Sequence, residues 1–216
     1  MENEQNFEDF YRIYKGGHDK IILWFSGINE PFISENLMNY TNCDVINIKD
    51  NRNLWYMNGV MPEHNGIDDC ALWISELIQS YSKKIFIGQS SGGYAAMLYG
   101  NFCHADLIIA YSPQTMNVRT GQCDSIPRNN IYNINNLYNN ETNSCPVIIN
   151  IGQSESDHID DFFWDDWRQI KEFRNLPYVT LIVHPYNNHN VSGLLKSKNL
   201  LYTSIDFLIK TYLHIA

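Results

Sequence analysis

Five runs of this chain are apolar almost throughout and are separated by segments of helical periodicity. They are KIILWFSG (20–27), CDVINI (43–48), KIFIG (84–88), DLIIAYS (106–112) and PVIINIG (146–152). A sixth, PYVTLIVH (177–184), closes the series, and YRIYK (11–15) reads as a further short strand at its start. A strand with water on one side alternates apolar and polar residues. A strand covered on both faces does not, and continuous apolar runs joined through helices therefore indicate a mostly parallel sheet layered between helices. The helices are readable between the runs. Over 66–81, Ile67, Ala71, Ile74, Leu77 and Ile78 share one face, with Asp68 and Asp69 in the first turn where the helix dipole favours anions. A short helix is expected at 31–39, a small-residue helix from Ser91 to about Gly100, one over 160–173 and one terminal helix over 192–213.

The chain has 216 residues, enough for one α/β domain with a substantial core. Its net charge is −9, with 15 Lys and Arg and no basic run. That excludes the clustered cations a nucleic-acid partner requires and disfavours an anionic membrane surface. No apolar stretch reaches the roughly 18 residues of a membrane span. The opening MENEQNFEDF has neither a basic nor an apolar signal region, so no signal peptide is expected, and the cysteine usage below reads as that of a cytoplasmic protein. The five cysteines (43, 70, 103, 123 and 145) are odd in number and form no CxxC pair, so reduced thiols are expected. No HExxH pair or zinc-like His/Cys spacing occurs, so no metal is expected.

The chemistry is concentrated where KIFIG runs into GQSSGGYAAMLYG. Gly88, Gln89, Ser90, Ser91 and Gly92 satisfy G-x-S-x-G between an expected strand and an expected helix. A serine at the tip of so sharp a turn has a strained backbone, and side chains two residues before and after it would collide. Glycine is therefore needed at both places. A second Gly-Gln-Ser, at 152–154, lacks the following glycine. Ser90 is thus the candidate nucleophile, against the plainer reading of a glycine-rich packing turn, and the Ser91 N–H is placed to meet an oxyanion.

A serine needs a base and an orienting acid, which should follow it on later loops, acid first. His189, between the last strand and the terminal helix, is the candidate base, with His184 at the strand end as the alternative. The acid is expected from GQSESDHIDD after the fifth core strand, with Asp157 placed first and Glu155 second. Asp160, Asp161, Asp165 and Asp166 read instead as the start and solvated face of a helix, and Phe163, Trp167 and Ile170 as its buried face. A second oxyanion donor is expected from the loop at Ser26-Gly27. The N–H of Ile28 is the choice, with Gly27 permitting close approach and the Asn29 amide as a substitute. Trp55 and Tyr56 either line a pocket beside the site or belong to the core. Residues 113–145 hold no strand; Ile131, Ile134, Leu137 and Tyr138 recur at helical steps, and the segment is expected to form a small cap.

FIGQSSGGYAAMLYG, the early WFSG, AYSPQT and the late His189 together resemble the α/β-hydrolase superfamily, from about residue 20 to 213. NLWYMNG, SSGGYAA and YSPQT are also similar to small bacterial hydrolases associated with polysaccharides or glycoconjugates. The resemblance implies a single α/β-hydrolase-like three-layer domain with a short cap. It implies a Ser90–Asp157–His189 triad acting on an ester or related acyl bond of a small-molecule or glycan-linked substrate, with no cofactor. The chain departs from the superfamily in its shortness and in carrying Ser26-Gly27 where a His-Gly pair is usual. Transfer of the acyl group to a hydroxyl, and a binding protein without turnover, are the alternatives.

Overall fold

The computed structural model describes residues 9–32, 36–115, 134–138, 145–153, 166–186 and 188–214. Its strands are β1 (Tyr11–Tyr14), β2 (Lys20–Phe25), β3 (Asp44–Ile48), β4 (Lys83–Gln89), β5 (Leu107–Tyr111), β6 (Val147–Gly152) and β7 (Val179–His184). They form one sheet in the order β1-β3-β2-β4-β5-β6-β7. All neighbours pair in parallel except β1, which runs antiparallel to β3 at the edge. The helices are α1 (Asn36–Thr41), α2 (Ile67–Ile78), α3 (Ser91–Phe102), α4 (Asn135–Tyr138), α5 (Asp166–Gln169), α6 (Val191–Ser197) and α7 (Leu201–Leu213).

The apolar strands β2 to β6 have the two-sided burial their composition demands, whereas β7, at the sheet edge, is only partly buried and leaves Val183 exposed. Ile21, Leu23, Phe25, Phe86, Ile108 and Ala110 face one core, shared with α2 and α3. Their neighbours Ile22, Trp24, Ile85, Ile87, Ile109 and Tyr111 face a second core, shared with α1, α6 and α7. Alternate side chains point to opposite faces, so an unbroken apolar run fills both layers at once. α2 buries Cys70, Ala71, Ile74 and Ile78. Cys43, Cys70, Cys103 and Cys145 are free thiols; Cys123 lies outside the described residues. No helix among the described residues is long and apolar enough to cross a membrane.

The terminal helix expected over 192–213 is two helices. α6 ends in a Schellman motif: Asn199 N–H donates to the Lys196 carbonyl at 3.0 Å and Leu200 N–H to the Leu195 carbonyl at 2.9 Å. Asn199 occupies the left-handed region at φ 57°, a conformation that Asn tolerates better than most residues. The apolar periodicity continues across the break and conceals it. Of the helix expected over 160–173, residues 160–165 lie outside the described residues; α5 covers Asp166–Gln169 and is followed by turns to Asn175. Ile170 is fully buried and Trp167 partly so, while Phe163 lies outside the described residues.

Of the 113–145 connection, residues 113–115, 134–138 and 145 are described. Ile134 and Tyr138 are buried, and the Tyr138 hydroxyl donates to the Met97 carbonyl of α3 at 2.7 Å. Ile131 lies outside the described residues.

Candidate active site

β4 passes into α3 at Ser90, whose backbone stands at φ 58°, ψ −118°. Little room exists around this turn. A Cβ at Gly88 would lie 2.1 Å from the Gly92 carbonyl oxygen, and one at Gly92 would lie 2.0 Å from the carbonyl oxygen of Phe25 in β2. Both contacts are with backbone, which cannot swing aside, so the two glycines allow α3 to close onto the sheet. Ser90 N–H donates to the Tyr111 carbonyl at 2.9 Å, and its carbonyl accepts Tyr94 N–H at 3.0 Å. The serine is thereby held across the ends of β4 and β5.

The second Gly-Gln-Ser has a different task. A Cβ at Gly152 would lie 2.6 Å from the Asn188 carbonyl oxygen and 2.7 Å from that of Tyr186. This glycine lets the loop after β7 lie against the end of β6, and that loop carries His189. Asn190 then caps α6, its side chain accepting Gly193 N–H at 2.8 Å. Of the two candidate histidines, His189 reaches Ser90, with Nε2 3.0 Å from Oγ. His184 turns to Asn150, with Nε2 3.0 Å from Oδ1, and burial pushes its pKa down.

The carboxylate that meets His189 is Asp166, not one of the expected pair. Its Oδ1 lies 2.8 Å from His189 Nδ1, and its Oδ2 accepts the Ser112 hydroxyl at 2.7 Å. A carboxylate only accepts, so Nδ1 carries the proton and Nε2 is left to accept from Ser90. Asp166 is 4 % exposed, which reverses its reading as part of a solvated helix face. Asp157 and Glu155 lie outside the described residues. Asp166 is the first residue of α5, 14 residues beyond Gly152. Neither strand periodicity nor motif spacing points to Ser112. Its signal is slight, a serine before proline at a strand end, yet it sits at φ 41° with its N–H on the Asn150 carbonyl at 2.7 Å.

Ser91 is the first residue of α3, so its N–H has no acceptor within the helix. The loop after β2 is a tight turn: Glu30 N–H donates to the Gly27 carbonyl at 3.1 Å, and Glu30 Oε2 accepts Gly27 N–H at 2.8 Å. The Gly27 N–H is therefore engaged by Glu30. Ile28 is partly exposed, and Asn29 is exposed at φ 58°. Burial raises the pKa of Glu30, opposed by the Gly27 bond and by the nearby positive charge of Lys196. Glu30, Lys196 and Trp24 border a pocket of about 210 Å³ beside this turn. Trp55 and Tyr56 are core residues, 3 % and 0 % exposed. The Tyr56 hydroxyl donates to the carbonyls of Ser26 at 2.7 Å and Ile48 at 3.1 Å, tying the ends of β2 and β3 beneath the turn. Among the described residues no group of three or more His, Cys, Asp or Glu side chains is placed to hold a metal ion.

In sequence, the chain matches no protein-family model and no curated protein. In structure it is similar to the capsule O-acetyltransferase of Neisseria meningitidis serogroup A, with TM-score 0.62, 18% identity and 91% of each chain covered. It is also similar to an esterase of Pyrococcus furiosus, with TM-score 0.59, 14% identity and coverage of 98% of this chain and 96% of that one. A third similar structure is the mouse alpha/beta hydrolase domain-containing protein 10, with TM-score 0.59, 14% identity and 93% of each chain covered. With the mostly parallel seven-stranded sheet, helices on both faces and the serine turn after β4, these likenesses show that the chain has the α/β-hydrolase fold.

Proposed function

We propose that this chain is a serine esterase or deacylase in which Ser90, His189 and Asp166 act as a catalytic triad. The observation that carries the proposal is the continuous chain of hydrogen bonds from Ser90 Oγ through the imidazole to a buried carboxylate. Ser90 Oγ attacks the acyl carbon as its proton passes to His189 Nε2. The carbonyl oxygen becomes an oxyanion, held by the N–H groups of Ser91 and Ile28. Collapse breaks the bond to the leaving alcohol, which takes the proton from Nε2 and leaves an acyl-Ser90 ester. Water then attacks that ester, His189 taking its proton, and Ser90 leaves with that proton as the carboxylic acid is released. Asp166 holds the imidazole in the productive tautomer and stabilises the imidazolium.

The substrate class we propose is a small-molecule or glycan-linked acyl ester, with the 113–145 connection as a cap over the site. It leaves the sheet beside Ser112 and Gln114, where Gln114 N–H meets the Ser90 carbonyl at 3.3 Å. The likeness to an O-acetyltransferase favours a second reading, in which a hydroxyl replaces water in the deacylation step. Labelling with a fluorophosphonate probe, alongside hydrolysis of short-chain aryl esters, tests the triad. Labelling that disappears in Ser90→Ala supports it, and folded wild-type protein that does not label refutes it. Adding an alcohol or sugar acceptor and analysing the products separates transfer from hydrolysis.

A further inference from the structure

The residue between Gly88 and Ser90 has a task that the triad does not include. Gln89 ends β4 and is 1 % exposed. Its side chain reaches 100 residues along the chain to the loop that carries His189. Nε2 donates to the His189 carbonyl at 2.9 Å, and Oε1 accepts Ser192 N–H at 3.1 Å. Ser192 N–H is one of the first N–H groups of α6, which have no acceptor within the helix. Asn190 satisfies the next one, on Gly193. Gln89 therefore completes the cap of α6 from a neighbouring strand and fixes the backbone of the base itself. A carboxamide presents a donor and an acceptor side by side, which the C=O of His189 and the N–H of Ser192 require together.

We propose that Gln89 is a positioning residue that locks His189 in register with Ser90. The nucleophile and the clamp on its base are then adjacent residues on one rigid strand end. Any shift of the His189 loop relative to Ser90 must break two hydrogen bonds, one buried and one part-buried. The inference rests on the triad reading, because register matters only if His189 acts on Ser90.

The test uses Gln89→Met, which removes both polar contacts at similar length, and Gln89→Glu, which keeps the shape and the acceptor but sets a second oxygen against the His189 carbonyl. Two readouts are taken on each folded variant. The first is the second-order rate of fluorophosphonate labelling, expected to fall about 10- to 100-fold, the scale of a misplacement near 1 Å. The second is the downfield proton resonance of His189 Nδ1–H on Asp166, assigned by its loss in Asp166→Asn and expected to broaden or vanish in both Gln89 variants. A residue that only fills space would leave that resonance unchanged. Wild-type labelling rates with an unaltered resonance in either variant overturn the inference, as does failure of both variants to fold. Wild-type protein that does not label, with a resonance that still depends on Gln89, refutes the catalytic reading and leaves the clamp standing.

Discussion

Replacing Asp166 with Asn decides which carboxylate serves the site. Asp166 is buried, and its Oδ1 lies 2.8 Å from His189 Nδ1. When His189 takes a proton, opposite charges centred about 4 Å apart interact by about 4 kcal/mol at an effective dielectric near 20. Loss of that attraction alone slows the step by about 10³-fold. Tautomer control adds to it. Asn keeps the shape, but its amide can present either oxygen or nitrogen to Nδ1, because the Ser112 hydroxyl on the other side both donates and accepts. When nitrogen faces the ring, the imidazole proton moves to Nε2 and the base cannot accept from Ser90. The expected loss in labelling rate and in kcat for an aryl ester is therefore about 10³- to 10⁴-fold. Thermal unfolding serves as the control for a folded site. Asp157→Asn and Glu155→Gln, assayed alongside, are expected to stay within about threefold of wild type, well short of the loss of a triad member. A folded Asp166→Asn enzyme that labels at the wild-type rate refutes the assignment, and the refutation is complete if Asp157→Asn is the variant that fails.

Gly92→Ala places a methyl 2.0 Å from the backbone oxygen of a central strand, so a loss of about 3 kcal/mol or more by urea denaturation is expected; a wild-type midpoint would mean the turn is looser than described. Ser112→Ala leaves one oxygen of Asp166 without its hydroxyl donor. The expected cost is about 1–3 kcal/mol in stability, measured by denaturant titration, together with slower Ser90 labelling. His184 carries a pKa lowered by burial, so the unfolded chain binds its proton more readily. Its contribution to stability is complete above the unfolded value near 6.5 and is lost as pH falls below that value through the folded pKa. His184→Gln should flatten the stability profile in that window, and an unchanged slope would argue against the half-buried neutral ring.

The layered architecture and the turn at Ser90 were legible in the residues alone. Both follow from local rules: strands buried on two faces read as unbroken apolar runs, and a strained serine turn admits only glycine at its flanks. The pairing of His189 with Ser90 was also within reach, because the order of strands and loops along the chain leaves few histidines in position. The remainder depends on long-range packing. Asp166 and its donor Ser112 lie 54 positions apart, and Gln89 and the His189 loop about 100; no periodicity links residues at such distances. A long connection after β6 offers many carboxylates, and the one that meets the imidazole is the one the packing of α5 buries, not the one nearest the strand. The break between α6 and α7 was hidden for the opposite reason. Its apolar face continues through Asn199, and a single left-handed residue that redirects the backbone leaves the hydrophobic pattern intact.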